Sequence, residues 1–379
     1  MMLKKLAIPI TLLLLIAGLC LLYLATLREM VVDLYHGQAP VWLNDVVIKL
    51  YPRFDVEKYR FDLTFFLNKA DQVIIRSTVV SVLAISFYLA IQLSNNISTK
   101  ITTYWNSTIP ASRVRYLRII TAILFIYFSW EILWDMEKLI AIKAFYNPIP
   151  LYKILHIPFP SYTGIIIIYS VLMLSAVCLL LNYFPVATSS IAALLFILVQ
   201  GYYFSFEKVD HGYSTFMYAA MVFPFLLAEY NKAKTMGDAH QKGWPLQLIL
   251  VLISLVYFLS GMEKLTISGL NWIDAVTFKT FLLLHEAPVG MAVAKIDWLC
   301  ILLPACALLF QLSFFLNLVL TKYRWLFLLI GISFHWGTVL LFGISSYINP
   351  WILVYAMFIE WEKVAAMLAQ KLTFRFLQK

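Results

Sequence analysis

The chain has 379 residues, of which 62% are apolar and only 13% are charged, and its formal net charge is +9. Roughly a quarter of the residues of a soluble domain are charged, so this composition excludes a cytosolic enzyme, a nucleic-acid-binding protein and a disordered adaptor. It indicates an integral membrane protein, in which surplus Lys and Arg are expected at the cytoplasmic ends of the spans.

The first membrane span is predicted at residues 6–26, behind Lys4 and Lys5. A bilayer core of about 30 Å needs about 20 apolar residues per helix. We interpret this run as an uncleaved signal anchor, because it is longer than the apolar part of a signal peptide and lacks a clear cleavage site. Residues 27–71 mix charged and aromatic side chains, which predicts a folded hairpin outside the membrane.

Further apolar runs predict an all-α fold, a polytopic transmembrane bundle of about ten helices. The other spans are expected at residues 73–93, 119–139, 164–181, 185–206, 213–230, 246–261, 298–320, 325–342 and 348–360. Prolines between residues 148 and 160 predict a broken segment at the interface or re-entering a protein cavity. Residues 273–284 resemble an interfacial helix.

The charge distribution predicts a multi-pass protein of the cell membrane with both termini cytoplasmic. In that orientation fifteen of the 29 basic residues lie in short cytoplasmic segments, and thirteen lie outside in much longer segments. Three regions follow. Residues 1–112 hold the signal anchor, the hairpin and the second span, residues 113–361 form the transmembrane core, and residues 362–379 form a basic cytoplasmic tail.

The cysteines favour neither a disulfide framework nor a metal site, because they lie in apolar stretches without a CxxC pair. They are Cys20, Cys178, Cys300 and Cys306.

Ionisable residues at the spans are therefore the candidates for chemistry. Asp210 and His211 lie between spans five and six, Lys264 follows span seven, and His335 lies inside span nine. In the predicted topology Asp210, His211 and Lys264 open to the same extracytoplasmic side, where they could face one cavity.

The residues around Lys264 carry a resemblance to a known family. Residues 257–265 read Tyr-Phe-Leu-Ser-Gly-Met-Glu-Lys-Leu, and Gly269 and Trp272 follow. This resembles the Tyr-Phe-x-x-Gly-x-x-Lys-Leu…Trp motif of the vitamin K-dependent gamma-carboxylase family, which includes a bacterial branch of HTTM-domain proteins. The resemblance extends upstream to His211 in Asp-His-Gly-Tyr and downstream to Phe-His at position 335, and covers roughly residues 115–361.

The resemblance implies that Lys264 is the catalytic base. A neutral amine in this position deprotonates a reduced naphthoquinone, and dioxygen then converts the quinone into a strong base. That base removes a proton from a glutamyl γ-carbon, to which carbon dioxide adds. His211 would orient or stabilise the quinone oxyanion. The residues expected to contact quinone or substrate are Asp210, Tyr213, Tyr257, Phe258 and Trp272.

The chain departs from the animal carboxylase after Glu360, where nineteen residues follow in place of a sizeable lumenal domain. The resemblance therefore favours a quinone- and oxygen-dependent, gamma-carboxylase-like lyase that modifies a secreted peptide or a small molecule.

Lys264 can act as a base near neutral pH only if its charged ammonium form is destabilised. Burial among Phe258, Leu265 and Trp272 would have that effect. Glu263 would oppose it, although successive side chains on a helix point about 100° apart and need not interact directly.

Each of these residues also has a structural interpretation. A lysine one turn beyond an apolar helix commonly extends to the lipid headgroups. His211 suits a loop or the start of a helix, Asp210 suits the amino-terminal cap of span six, and His335 suits a hydrogen-bonded histidine between packed helices.

Other polar residues inside the spans leave a second function open. Glu131 and Asp135 lie four apart on span three, where Lys138 could neutralise the pair, and Arg76 in span two could pair with either carboxylate. Together with His335 they could line a pathway, as in a non-catalytic protein that binds or exports a peptide or lipid. A quinone-linked redox module is a further alternative, disfavoured by the lack of paired cysteines.

Overall fold

The computed structural model describes residues 2–51, 53–206, 212–343 and 350–377. Regular structure in these ranges is helical apart from two strands of three residues, which confirms the all-α class. Seven of the described helices are long and apolar enough to cross a membrane. They are Ile8–His36, Leu63–Leu93, Tyr162–Leu180, Pro185–Phe204, Trp244–Ile273, Asp297–Leu318 and Thr321–Phe342.

The elements follow one another in a single run of helices. The α-helices are α1 (Met2–Leu22), α2 (Arg28–His36), α3 (Val41–Leu50), α4 (Phe54–Glu57), α5 (Leu63–Leu93), α6 (Asn95–Trp105), α7 (Ala111–Ala141), α8 (Pro150–Ile154), α9 (Tyr162–Leu180), α10 (Pro185–Phe204), α11 (Ser214–Thr235), α12 (Trp244–Ser268), α13 (Ala275–His285), α14 (Pro288–Val293), α15 (Asp297–Ser313), α16 (Arg324–Phe342), α17 (Pro350–Val354) and α18 (Trp361–Leu377). A π-helical turn covers Tyr23–Leu27, and 3₁₀ turns cover Lys143–Phe145, Gly269–Ile273, Phe314–Leu318, Thr321–Tyr323 and Tyr355–Phe358. The strands are β1 (Thr108–Pro110) and β2 (His240–Lys242).

The chain divides into two compact units. The first comprises Met1–Tyr104 and Tyr146–Pro158, and the second comprises Trp105–Phe145 and Phe159–Lys379.

In the first unit the opening helix is longer than its apolar run. The π-helical turn Tyr23–Leu27 joins α1 to α2, so helix continues to His36 instead of ending near residue 26. Charged side chains on a helix surface do not stop a helix. The opening helix ends before Gly37, whose φ of 72° suits a residue without a Cβ.

The predicted hairpin at residues 27–71 is therefore wrong in its bounds, because α5 begins at Leu63. The Asp62 carboxylate caps this helix by accepting a hydrogen bond from the Phe65 backbone N–H at 3.0 Å. The hairpin is nevertheless folded, as predicted, because Leu34, Phe54 and Phe66 form a buried cluster.

The proline-rich segment is broken, as predicted, and contributes a single short helix, α8, to the first unit. There α8 packs against α3, and the Lys153 ammonium donates a hydrogen bond to the Ile48 carbonyl oxygen at 3.2 Å. The predicted helix at residues 273–284 is present as α13.

In the second unit most neighbours in sequence are neighbours in space. The helix α9 packs between α7 and α10, α11 packs between α10 and α12, and α15 packs between α12 and α16. Phe125, Phe128, Phe196 and Phe216 fill the space between α7, α10 and α11, with ring centroids 4.9–6.0 Å apart and edges turned to faces.

Two of the predicted spans, α7 with 31 residues and α11 with 22, are helices but are not among the seven apolar ones. The prediction for residues 348–360 is wrong in its described part. Residues 350–358 form a five-residue helix and a 3₁₀ turn, which together cover roughly 15 Å, about half the bilayer core. This segment packs against α11, α12 and α16.

Polar contacts join segments that are distant in sequence at one end of the second unit. The strands β1 and β2 pair antiparallel, with Thr108 opposite Lys242. The Arg113 guanidinium, which precedes the predicted start of span three, donates hydrogen bonds to Glu362 at 3.1 Å and to Glu360 at 2.8 Å. Burial lowers the pKa of Arg113, but the bonds to Glu362 and Glu360 raise it above its ordinary value overall. These contacts tie α7 to the start of α18.

Candidate functional site

Lys264 lies one turn before the end of α12, at the end of the second unit opposite Arg113. Its Nζ donates hydrogen bonds to Ser260, at 3.2 Å to Oγ and 3.4 Å to the carbonyl oxygen. Because Ser260 lies one turn earlier, the half-buried lysine points back along α12, towards the middle of the span. A lysine that extends to the headgroups beyond the end of the helix would point the other way.

Trp272 lies over the Lys264 amine. The chain leaves α12 in the 3₁₀ turn Gly269–Ile273, which brings the indole ring 5.1 Å from Nζ, measured to the ring centroid. The Trp272 Nε1 is buried and has no hydrogen-bond partner among the described residues. An unmade hydrogen bond of a buried donor costs about 1–3 kcal/mol, so this N–H suits an acceptor supplied by a ligand.

The other residues expected to contact a quinone are distributed differently. Tyr213 packs against Phe128 and Phe196, with ring centroids 5.3 and 6.1 Å apart, in the cluster between α7, α10 and α11. Phe258 packs against Phe315 at 5.5 Å. Tyr257 belongs to a different, fully buried cluster. Among the described contacts, only Trp272 of this set touches Lys264.

Some predicted residues cannot be placed beside Lys264. Asp210 and His211 lie outside the described residues, in the connection between α10 and α11. The predicted packing of spans five, six and seven is confirmed, because α11 contacts both α10 and α12. Glu131 and Asp135 lie four apart on α7, but the structure does not describe their side chains. Arg76 lies on α5 in the first unit.

The sequence did not predict the polar cluster around Tyr257. The Tyr257 hydroxyl lies 2.6 Å from His335 Nε2 and 2.5 Å from the Tyr355 hydroxyl, and all three side chains are buried. Trp351 covers the pair, with its ring centroid 4.8 Å from Tyr257 and 5.5 Å from His335. His335 is thus hydrogen bonded between packed helices, as its structural interpretation predicted. Tyr355 offered no signal in the sequence beyond its place in an aromatic-rich segment.

A groove of about 270 Å³ lies between α13, α15 and α16. Its walls are almost entirely apolar and include Phe278, Phe310, Phe334 and Phe342. Of the residues predicted to contact a quinone, none that the structure describes lines this groove.

A scan against protein-family models found no match, and searches of curated proteins and of solved structures found no similar protein.

Proposed function

We propose that this protein is a membrane enzyme of the HTTM type, related to the vitamin K-dependent carboxylases, in which Lys264 is the catalytic base. Its co-substrate is a reduced naphthoquinone, and its substrate is a secreted peptide or a small molecule. The observation that carries this proposal is the position of the Lys264 amine, which points into the span beneath Trp272 instead of towards the headgroups.

The surroundings of Lys264 suit a group that is neutral before the reaction and charged after it. Half-burial favours the neutral amine, because the ammonium loses hydration. No carboxylate of the described residues lies within ion-pair distance of Nζ, although the charge of the neighbouring Glu263 favours the ammonium and opposes part of this effect. Once Nζ takes up a proton, the oxygens of Ser260 accept its hydrogen bonds and the Trp272 ring stabilises the cation.

The residues present fit a quinol. Its oxygens can accept a hydrogen bond, and Trp272 Nε1 is a buried donor without a partner among the described residues. When bound, the quinol would supply an acidic hydroxyl and, with dioxygen, the oxidising power of the reaction. Lys264 would hold the proton at Nζ, Ser260 would orient the amine, and Trp272 would donate to the ligand and exclude water.

Two measurements on the full chain in mild detergent test this proposal. Mass spectrometry of extracted small molecules should find a naphthoquinone, and adding reduced menadione should cause oxygen uptake above that of protein-free detergent. If neither a naphthoquinone nor oxygen uptake is found, and a peptide or lipid is bound in a fixed ratio, the proposal of an enzyme is wrong and the protein is a non-catalytic binding or transport protein.

The orientation of the site is part of the proposal. Adding α7 and α11 to the seven apolar helices gives nine full crossings. The short segment after α16 returns the chain to the inner side, because Glu360 and Glu362 bond to Arg113 at the start of α7. Both termini are then cytoplasmic and Lys264 is near the outer surface, as the basic residues favour.

Cysteine labelling of intact cells checks this orientation with a matched pair of exposed asparagines, Asn271 and Asn231. In a background without the native cysteines, Asn271→Cys should react with an impermeant maleimide, and Asn231→Cys should react only after lysis. The reverse pattern would place Lys264 on the cytoplasmic side and exclude a secreted substrate.

A further inference from the structure

Polar residues recur along one face of α12 from Lys264 to the opposite half of the helix. Ser254, Tyr257, Ser260 and Lys264 follow at steps of three, three and four residues, which keeps them within about 120° around the helix axis. Ser254 and Tyr257 are buried. Buried polar residues inside a membrane are a functional-site hypothesis by default.

The outer part of this face joins Lys264 to α15. Nζ of Lys264 donates to Ser260 Oγ at 3.2 Å. At the adjacent Gly261 the two helices come close, because Gln311 Cβ lies 3.2 Å from the position that a Cβ on Gly261 would take. Gln311 is buried, and its Oε1 has no hydrogen-bond partner among the described residues.

The middle part is the Tyr257 cluster. The Tyr257 hydroxyl contacts His335 Nε2 and the Tyr355 hydroxyl, but it has only one proton to donate. The chain can therefore be ordered in two ways, from Tyr355 through Tyr257 to His335 or in the opposite direction. Switching between the two orders moves a proton along the chain without moving a heavy atom.

The inner part continues from Ser254 to the start of α16. The side-chain Nδ2 of Asn317 donates to Ser254 Oγ at 3.1 Å, and Arg324 Nε donates to the backbone carbonyl oxygen of Asn317 at 3.4 Å. Asn317 is fully buried, yet its side-chain Oδ1 has no partner among the described residues.

We propose that this face of α12 is a proton path from Lys264 to the end of the bundle at which α16 begins, with bound water bridging its members at Gln311 Oε1 and Asn317 Oδ1. Buried water typically satisfies such isolated acceptors with two to four hydrogen bonds. The serine and tyrosine hydroxyls, the His335 imidazole and the bridging waters each pass a proton to the next acceptor and receive one from the preceding donor, so the net change is one proton transferred and nothing is oxidised or reduced. The Gln311 and Asn317 amides and the Arg324 guanidinium keep their protons and only orient the waters. The use of the path to remove the proton taken up by Lys264 rests on the proposed function, whereas conduction itself does not.

Proton flux into liposomes that contain the full chain and an internal pH dye tests this proposal. A potassium gradient with valinomycin supplies the driving force. Wild-type protein should carry protons faster than protein-free liposomes, and Tyr257→Phe should lower this flux at least about 10-fold, because a phenyl ring packs alike but exchanges no proton. The matched control Tyr183→Phe, at a side chain that is 61% exposed, should conduct like the wild type. Wild-type flux equal to that of empty liposomes, or full flux in Tyr257→Phe, would overturn the path.

Gln311→Leu and Asn317→Leu provide an independent check, since leucine has a similar volume and cannot bind the bridging water. Both variants should lose flux, and size-exclusion and thermal unfolding profiles like those of the wild type would show that they are folded. Flux at the wild-type level in both variants would refute the proposed water bridges and therefore the proton path. Oxygen uptake measured separately in detergent distinguishes the two proposals, because uptake without flux refutes only the path and flux without uptake refutes only the enzyme.

Discussion

Lys264→Arg is expected to abolish quinone-dependent oxygen uptake as completely as Lys264→Ala, with a loss of at least about 100-fold in either variant. An arginine side chain preserves the positive charge and can still lie over Trp272, but it cannot give up its proton near neutral pH. A general base must be deprotonated to act, so the conservative change should be no better than removal of the side chain. Oxygen consumption after addition of reduced menadione measures the effect.

Lys279 is the matched control for this experiment. It lies on α13, and its Nζ donates a hydrogen bond to Asp297 at 2.7 Å. That bond raises the pKa of Lys279, which keeps the side chain protonated and unsuited to act as a base. Lys279→Ala should therefore take up oxygen like the wild type. Full uptake in Lys264→Arg would show that position 264 supplies only positive charge, and the general-base proposal would be dropped.

Gly331→Ala is expected to destabilise the folded protein by about 2–4 kcal/mol. A Cβ at position 331 would overlap the Tyr355 hydroxyl and lie 2.8 Å from two carbons of its ring. Tyr355 would have to move, which would break its hydrogen bond to Tyr257 inside the bundle. Unfolding of the purified protein by heat or denaturant in detergent measures the loss.

Two further variants separate this collision from a general effect on α16. At Gly337, on the same helix, an added Cβ meets no atom within 4 Å, so Gly337→Ala should change stability by less than about 1 kcal/mol. Tyr355→Phe removes the overlapping hydroxyl and should recover part of the loss when combined with Gly331→Ala. Equal stability of the two alanine variants would contradict the packing of Tyr355 against Gly331.

Local features of the site could be predicted because its parts are close in sequence. Trp272 follows Lys264 by two turns of chain, and the single turn Gly269–Ile273 suffices to place its ring on the amine. The direction of the lysine was not predictable in the same way, since half-burial beside Ser260 and extension to the headgroups suit the same residues. The Tyr257 cluster was not predictable at all, because its partners lie 78 and 98 residues further along the chain.

Composition and hydropathy determined by themselves that this is a helical membrane protein and where most of its helices run, because a bilayer requires long apolar helices whatever their packing. Only the tertiary structure decided where helices end and which polar groups meet. The first helix continues past its apolar run to Gly37, and residues 350–358 make only half a crossing between α11, α12 and α16. The partners of buried polar side chains are chosen by the packing of separate helices, and hydropathy within one helix contains no information about that choice.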